Sequence, residues 1–259
     1  MRLKGKVGIV TGGASGIGKA IAAAMAEAGA HVVIGDINDQ AGEAAVRELS
    51  GLGPTVLFQK TDISKWRDAK SLIDATVDHL GRIDIVVNNA GLQHVAPIQD
   101  FPEEKWDRLL GVMLSGAFFL TKYAFPHMIR QRFGRIINIA SAHGLVVSPF
   151  KSAYVAAKHG LLGLTKVTAL EGAAHNITAV AICPAYVRTP LVEQQITDQA
   201  KAHGISEQEV MENVILARQA VKRLLEPEEV AELAVFLCTD RASGITGTHI
   251  AMDLGWTAR

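Results

Sequence analysis

Short apolar runs alternate with longer helical patterns along the 259 residues of the chain. Most of the apolar runs are nearly continuous, which is the pattern of strands that are covered on both faces. They predict strands at residues 6–11, 31–36, 56–60, 83–88, 135–140, 178–183 and 248–252. Between them the pattern predicts helices at residues 17–28, 65–80, 103–131, 153–173 and 227–239.

This alternation predicts an α/β fold of the doubly wound Rossmann type. The seven strands should form a parallel sheet with right-handed crossovers, and the helices should cover both of its faces. No linker rich in Pro, Gly or Ser divides the chain, so we expect a single domain over residues 1–259. Residues 191–225 interrupt the alternation with a polar, mostly helical segment. Beside the carboxyl ends of the strands, such a segment could act as a lid over a ligand.

Composition narrows the class of function. The 26 Lys and Arg residues balance the 26 Asp and Glu residues, which argues against a nucleic-acid-binding protein. We find neither an apolar run long enough to span a bilayer nor the pattern of a signal peptide, so we expect a cytoplasmic protein. Cys183 and Cys238 lie in apolar surroundings typical of buried thiols in a reducing compartment. No cluster of His, Cys and acidic residues has ligand spacing, so we expect no metal.

A glycine-rich turn, TGGASGIG at residues 11–18, joins the first predicted strand to the first predicted helix. Glycines allow the tight turn, the approach of a pyrophosphate and close helix–strand packing, and the helix N-terminus attracts the phosphates. The strand before and the helix after favour a dinucleotide site over an empty turn. The expected cofactor-binding residues here are Gly12, Ser15, Gly16, Ile17 and Gly18.

Asp36, at the end of the second strand, indicates which dinucleotide binds. Its carboxylate can accept hydrogen bonds from ribose hydroxyls and would repel a 2′-phosphate, and no basic residue follows at 37–39, so we expect NAD rather than NADP. Further walls of the site should come from residues after the third and fourth strands, although each of these segments could be an ordinary turn. They are Asp62, Ile63, Asn89, Ala90 and Gly91.

Residues that can carry out acid–base chemistry follow the fifth strand. Tyr154 and Lys158 are spaced to share one face of a helix, and Ser141 ends the strand. An ammonium beside a phenol should lower the phenol pKa from about 10 toward neutrality. Such a tyrosine can exchange a proton with a carbonyl or alcohol oxygen that a serine holds in place. Spacing alone would favour an ordinary amphipathic helix that happens to contain Tyr and Lys.

Together, these segments resemble the short-chain dehydrogenase/reductase family over essentially the whole chain. The similarity lies in residues 11–18, 88–91, Ser141, the YVAAK segment at 154–158, and Pro184 with residues 187–190. It implies that Ser141, Tyr154 and Lys158 are catalytic and that a nicotinamide cofactor lies over the carboxyl ends of the strands. The cofactor would also contact Tyr154, Lys158, Pro184, Val187 and Thr189. The family commonly forms homotetramers, in which the apolar faces of the long helices at 103–131 and 153–173 would be buried.

Residues 133–166, 92–94, 191–196 and 255–259 are similar to those family members that act on a short 3-hydroxy acid. The similarity implies reversible NAD-dependent oxidation of (R)-3-hydroxybutyrate to acetoacetate, with the substrate carboxylate bound by Gln93, His143, Lys151 and Gln195. Ser141, Tyr154 and Tyr186 would complete the substrate site. Lys151 and Gln195 could instead be solvated surface residues. The alternative functions are a dehydrogenase for another small hydroxy acid or secondary alcohol, and a weakly active NAD-binding sensor.

Several positions depart from the family pattern. Met113 replaces an Asn that usually completes the catalytic group, which would weaken a proton relay without abolishing it, since the backbone carbonyl remains. Tyr186 replaces a Trp, so the pocket around the substrate methyl group should be roomier or more polar. Val180 replaces an Asn, and Ala185 and Leu254 each replace a Gly.

Overall fold

The computed structural model describes residues 2–258, apart from the side chains at 198–199 and 201–203. Its strands form one seven-stranded sheet in the order β3-β2-β1-β4-β5-β6-β7, and every neighbouring pair is parallel. They are β1 Val7–Thr11, β2 His31–Asp36, β3 Val56–Lys60, β4 Ile85–Asn88, β5 Gly134–Ile139, β6 Ile177–Pro184 and β7 Thr248–Met252. The predicted doubly wound parallel α/β fold is therefore confirmed.

The strand order creates a crevice in the middle of the sheet. From β1 the chain winds outward through β2 to β3, and then returns to place β4 on the other side of β1. The connections that leave the carboxyl ends of β1 and β4 therefore diverge. This switch point is where ligands bind in open α/β sheets.

The helices of the described residues are α1 Gly16–Glu27, α2 Asp39–Leu49, α3 Trp66–Leu80, α4 Glu103–Leu110, α5 Gly116–Gln131, α6 Ser152–Gly172, α7 Pro190–His203, α8 Glu207–Val210 and α9 Pro227–Leu237. Neighbouring strand residues point to opposite faces of the sheet: Ile9 and Ile136 pack with α3 and α5, while Val10 and Ile137 pack with α1 and α9. Two apolar layers thus cover the sheet.

Two helical predictions differ from the structure. The sequence analysis predicted no helix at α2, although its buried Gly42, Ala45 and Leu49 are spaced to share one helical face. The start of α2 is fixed by Asn38, whose Oδ1 accepts from the Ala41 N–H at 3.1 Å. The predicted helix at 103–131 is divided by a π-helical turn at Gly111–Ser115. This wider turn includes Met113, which is buried, and π turns of this kind frequently occur at functional sites.

The run Glu103–Gln131 also departs from the expectation about membranes. By length and composition it could cross a bilayer, because an 18-residue window within it has a mean hydropathy of 1.3, although the sequence pattern predicted no membrane-spanning run. Core helices of globular proteins can pass the same test. Within this run α5 packs Leu120, Ala124 and Met128 against buried sheet residues, which is the behaviour of a core helix.

Residues 191–225 are mostly helical, as predicted. They contain α8, most of α7 and a π-helical turn at Met211–Ile215, and an isolated parallel bridge joins Val187 to Leu225 at their end. The region has its own apolar cluster, which includes Val192, Ile196 and Ile215. Its helices therefore pack on one another beside the carboxyl ends of the strands.

Candidate active site

A cavity of about 370 Å³ opens at the carboxyl ends of the strands, above the switch point. All of the predicted site residues except Gly18 line it. From the predicted cofactor set these are Gly12, Ser15, Gly16, Ile17, Asp36, Asp62, Ile63, Asn89, Ala90, Gly91, Tyr154, Lys158, Pro184, Val187 and Thr189. From the predicted substrate set they are Gln93, Ser141, His143, Lys151, Tyr154, Tyr186 and Gln195.

The glycine-rich turn is shaped for close backbone approach. Gly12 has φ +62°, and a Cβ there would lie 2.9 Å from the Ala90 Cα. Gly18 is buried under the turn, where a Cβ would lie 2.2 Å from the Gly12 carbonyl oxygen and 2.5 Å from the Asn89 Nδ2. Gly18 thus lets α1 pack against the turn, so that Ser15, at the helix N-terminus, lies in the cavity wall. This backbone cradle fits a pyrophosphate.

The Asp36 carboxylate is fixed at the edge of this turn. Its Oδ2 accepts from the Ala14 N–H at 3.1 Å, and its Oδ1 accepts from the Asn38 N–H at 3.0 Å. Each carboxylate oxygen has a second lone pair that can accept a further bond. The position at the end of β2 and this remaining acceptor capacity fit the two hydroxyls of a ribose.

Two asparagines hold neighbouring strand ends together. The Nδ2 of Asn88, on β4, donates to the Oδ1 of Asn138, on β5, at 2.8 Å. The Asn89 Nδ2 donates to the carbonyl oxygens of Thr11 and Gly12 at 2.9 and 3.1 Å. The segment after β4 is therefore not an ordinary turn, because it fixes the floor of the cavity beside the glycine-rich turn.

Ser141, Tyr154 and Lys158 lie together in the wall of the same cavity. Ser141 follows β5, and its Oγ accepts from the His143 N–H at 3.1 Å. Lys158 is buried on α6, its Nζ donates to the Ile139 carbonyl oxygen at 2.6 Å, and the same Nζ lies 5.5 Å from the centre of the Tyr154 ring. The trio can therefore place a phenol, a hydroxyl and an ammonium group around one reacting oxygen.

The expectation that the pKa of Tyr154 is lowered is wrong. Burial raises the pKa of Tyr154 to about 12, and a hydrogen bond with Ser141 opposes the rise only in part. Burial also lowers the pKa of Lys158 to about 8. Lys158 does not offset the rise in the Tyr154 pKa, and its ammonium group is directed at the Ile139 carbonyl instead.

Lys151 lies at the other end of the cavity and is only 6% exposed. Its Nζ donates to the Tyr186 hydroxyl at 3.1 Å, and among the described residues it forms no ion pair with an acidic side chain. Burial lowers the pKa of Lys151 to about 8. The Gln195 Nε2 is buried, and the Gln195 side chain interacts with the Tyr186 hydroxyl. Neither residue is a solvated surface side chain.

His143 belongs to an aromatic wall around this end. Burial lowers its pKa to about 3, so the imidazole is neutral at pH 7 and can hydrogen-bond without adding charge. The His143 Nε2 lies 2.9 Å from the Ser148 Oγ. The ring of Trp256 stacks on Tyr186 with centroids 5.7 Å apart and meets His143 edge-on at 5.0 Å.

Sequence reasoning missed several residues of the cavity lining, among them Leu92, Arg108, Val112, Leu191, Val192 and Trp256. Arg108 and Val112 are four residues apart on the helical run through α4 and the π turn. Only this helical spacing could have indicated that both side chains face the cavity. Met113, by contrast, is 2% exposed and packs in the cluster of Leu109, Ala153 and Ala157 that Tyr154 also contacts.

Comparisons with known proteins agree with this architecture. The family model described as enoyl-(acyl carrier protein) reductase matches residues 12–257. The chain is 50% identical to a D-beta-hydroxybutyrate dehydrogenase of Rhizobium meliloti over 257 residues, 98% of this chain and 99% of that protein. It is 45% identical to the uncharacterized oxidoreductase YxjF of Bacillus subtilis and 44% identical to a D-beta-hydroxybutyrate dehydrogenase of Cupriavidus necator. Each of these two matches covers 99% of this chain and 100% of the relative. With this similarity over nearly its full length, the chain belongs to the short-chain dehydrogenase/reductase family of oxidoreductases.

Proposed function

We propose that the protein catalyses the reversible, NAD-dependent oxidation of (R)-3-hydroxybutyrate to acetoacetate. The observation that carries this proposal is Lys151, a buried ammonium group without an acidic partner among the described residues, in the same cavity as Tyr154. A buried charge is costly unless it is paired, and a ligand carboxylate would pair it. The relatives named D-beta-hydroxybutyrate dehydrogenase support the same substrate.

Tyr154 is the general acid and base of the proposed reaction. In the oxidation it takes the proton of the substrate hydroxyl, while Ser141 holds the same oxygen and Lys158 stabilises the phenolate. Bound NAD would accept the hydride and add positive charge at the nicotinamide. Because burial raises the pKa of Tyr154 to about 12, the phenolate depends on every positive group placed near it.

NAD would lie along the cavity from Asp36 to Thr189. We assign the ribose hydroxyls to Asp36, and the pyrophosphate to the turn formed by Gly12, Ser15, Gly16 and Ile17, with Gly18 supporting it. Asp62 and Ile63 would border the adenine. We assign the nicotinamide end to Asn89, Ala90, Gly91, Pro184, Val187 and Thr189. Thr189 suits this position because its Cγ2 would lie 3.1 Å from a Cβ at Gly16, so it closes the cavity directly over the turn.

The substrate carboxylate would bind between Lys151 and the amide and imidazole groups of Gln93, His143 and Gln195. Lys151 supplies the positive charge, since His143 is neutral and the two glutamines are uncharged. A carboxylate held at this end would direct the 3-hydroxyl toward Tyr154. The Gln195 amide has two N–H donors, so it can interact with Tyr186 and still donate to a carboxylate.

We further propose a single-domain cytoplasmic protein that assembles as a homotetramer. Support for assembly comes from exposed apolar side chains on two long helices: Phe118 on α5 is 46% exposed, and Leu170 on α6 is 80% exposed. The helical segment 191–225 would act as the lid, because it contributes Leu191, Val192 and Gln195 to the cavity wall.

Formation of NADH with (R)-3-hydroxybutyrate tests the proposal, in parallel with its (S)-enantiomer, other small hydroxy acids and secondary alcohols. We expect the (R)-acid to have the highest kcat/KM, by about tenfold or more, and Tyr154→Phe to abolish its turnover. Higher kcat/KM with another acid or alcohol would establish the alternative dehydrogenase. NAD binding without turnover of any compound would establish a sensor. This outcome is tested because Met113 replaces the Asn that usually completes the catalytic group of the family.

A further inference from the structure

Tyr186 contacts Lys151 at the carboxylate end of the cavity. Tyr186 follows β6, whereas Lys151 directly precedes α6, and the Lys151 Nζ donates to the Tyr186 phenol oxygen at 3.1 Å. The same Nζ lies 5.3 Å from the centre of the Tyr186 ring. The tyrosine hydroxyl is therefore placed beside the one group to which we assign the negative charge of the substrate.

The Tyr186 ring is held firmly in this position. It stacks on Trp256 with an interplanar angle of 14°, and the Tyr186 carbonyl oxygen accepts from the Leu225 N–H at 2.9 Å. The backbone N–H of Trp256 in turn donates to the Asp253 carbonyl oxygen at 3.0 Å. Contacts on two sides thus fix the phenol, and its hydroxyl does not need to be ordered when a ligand arrives.

We propose that the Tyr186 hydroxyl is a second, uncharged donor to the substrate carboxylate and thereby helps select carboxylic acids over their amides and alcohols. The inference rests on the proposed function and names a specificity-determining residue for it. The phenol oxygen accepts the Lys151 bond and interacts with the Gln195 side chain as a second donor, and both contacts use its lone pairs, so its own O–H remains available to donate to another group. A carboxylate has two oxygens, so one can face the Lys151 ammonium and the other the Tyr186 hydroxyl.

This geometry decides between the two expectations for a tyrosine at this position. The tyrosine ring is smaller than the tryptophan ring that it replaces. The pocket would be roomier for the methyl group of the substrate only if the freed space lay beside that methyl group. The contact with Lys151 instead places the hydroxyl at the charged end, together with Gln195 on the cavity wall. The pocket is therefore more polar where the carboxylate binds.

Calorimetric binding of butyrate and butyramide to the NAD-bound protein tests the inference without requiring turnover. The two probes have nearly the same shape, but only butyrate carries a charge. Tyr186→Phe removes the hydroxyl and keeps the ring that stacks on Trp256. We expect it to weaken butyrate binding by roughly tenfold and butyramide binding by less than about threefold, since bonds to charged groups are stronger.

Tyr123→Phe is the matched control, because Tyr123 lies on α5 and does not line the cavity. It should leave the affinity for both probes unchanged, and NAD affinity should be unchanged in both variants. Equal weakening of both probes by Tyr186→Phe, or no weakening of either, would overturn the role of the hydroxyl while leaving the proposed function intact. Failure of butyrate to bind the unmodified protein would instead overturn both the proposed function and this inference.

Tyr186 also packs against the apolar cluster of residues 191–225, the proposed lid. Kinetics of the variants with the hydroxy acid separate a role of Tyr186 in carboxylate recognition from a role in this packing. Loss of a carboxylate donor should raise KM for the acid with little change in kcat, since the bond would be made equally in the ground state and the transition state. A structural defect in the lid would lower kcat for charged and uncharged substrates alike. That second pattern would contradict the assignment of Tyr186 as a carboxylate donor.

Discussion

The two ends of the cavity are built in different ways. The cofactor half, residues 11–18 with Asp36 and residues 89–91, is shaped mainly by backbone: Gly12 and Gly18 leave less than 3 Å for an added Cβ. The substrate half, formed by Gln93, His143, Lys151, Tyr186 and Gln195, consists of side chains from separate segments. A backbone cradle is sensitive to one added methyl group, whereas the substrate half depends on where charges and donors are placed.

The two halves of the cavity also differ in how far their polar groups are paired within the protein. In the cofactor half, polar groups are already paired: the Asp36 carboxylate accepts two backbone N–H bonds. In the substrate half, as far as the described residues show, the Lys151 ammonium and the Gln195 amide both turn to the same neutral phenol of Tyr186, and Lys151 has no acidic partner. Unpaired buried groups are stabilised when a ligand pairs them. The first half is therefore preorganised by the protein, and the second is completed by its ligand.

Gly18→Ala should have the largest effect, because it breaks the backbone cradle. The new Cβ would lie 2.2 Å from the Gly12 carbonyl oxygen, and backbone cannot yield as a flexible side chain does. We expect displacement of the turn at a cost of about 3 kcal/mol and a loss of NAD affinity of roughly 100-fold or more, measured by chemical denaturation and by calorimetry. Gly51→Ala is the control, since a Cβ there meets nothing within 4 Å. An intact NAD affinity in Gly18→Ala would show that the turn adapts.

Lys151→Ala should have the next largest effect and act on the substrate half alone. We expect kcat/KM for 3-hydroxybutyrate to fall roughly 10- to 100-fold, or about 1.5–3 kcal/mol for a bond to a charged group. The methyl ester should be affected much less, and NAD affinity should stay nearly unchanged. An unchanged ratio of acid to ester turnover would remove Lys151 from the substrate site.

The same residue gives the unmodified protein a pH dependence. Burial lowers the pKa of Lys151 to about 8, so the ammonium is present below that pH and is lost above it. The ratio of acid to ester kcat/KM should therefore fall as pH rises through about 8. Lys158 also has a pKa lowered to about 8, but it affects both substrates, so the ratio isolates Lys151.

The sequence was informative where one local segment carries the geometry. The turn at residues 11–18 is contiguous, and its glycines, flanked by a strand and a helix, predicted the cradle that the structure contains. The strands were equally clear, because continuous apolar runs are typical of a sheet covered on both faces. In contrast, α2 was missed, because only Leu49 among its three buried residues is large, although Gly42, Ala45 and Leu49 have helical spacing.

The substrate half was predictable only as a set of residues named by resemblance. The contact between Lys151 and Tyr186 joins positions 35 residues apart in sequence, and no local pattern indicates which side chains meet across a cavity. The pKa of Tyr154 shows a second limit. Helical spacing indicated a lysine near the phenol, but it did not show that burial raises the pKa or that Lys158 is directed at the Ile139 carbonyl.

Asp36→Ala should have a moderate effect within the cofactor half. The carboxylate repels a 2′-phosphate, so its loss should narrow the preference for NAD over NADP by about tenfold, or 1.4 kcal/mol, in the ratio of kcat/KM values. Asp39→Ala is the control, because Asp39 is exposed and pairs with Lys60. Comparable kcat/KM for the two cofactors in the unmodified protein would contradict the assignment of Asp36.

Met113→Asn should have the smallest effect on activity, and it tests whether the departure from the family pattern matters. The backbone carbonyl at this position survives in either residue, so we expect kcat to change by less than about tenfold, or 1.4 kcal/mol. Met113 is 2% exposed among apolar side chains, so a buried amide there should instead lower the free energy of unfolding by about 1–3 kcal/mol. Single-turnover kinetics and chemical denaturation of the same variant would measure the two effects separately. A hundredfold gain in kcat would show that the amide is essential to proton transfer and that this chain is an impaired catalyst. A loss of stability without a gain in kcat would instead show that the π turn around Met113 has adapted to an apolar residue.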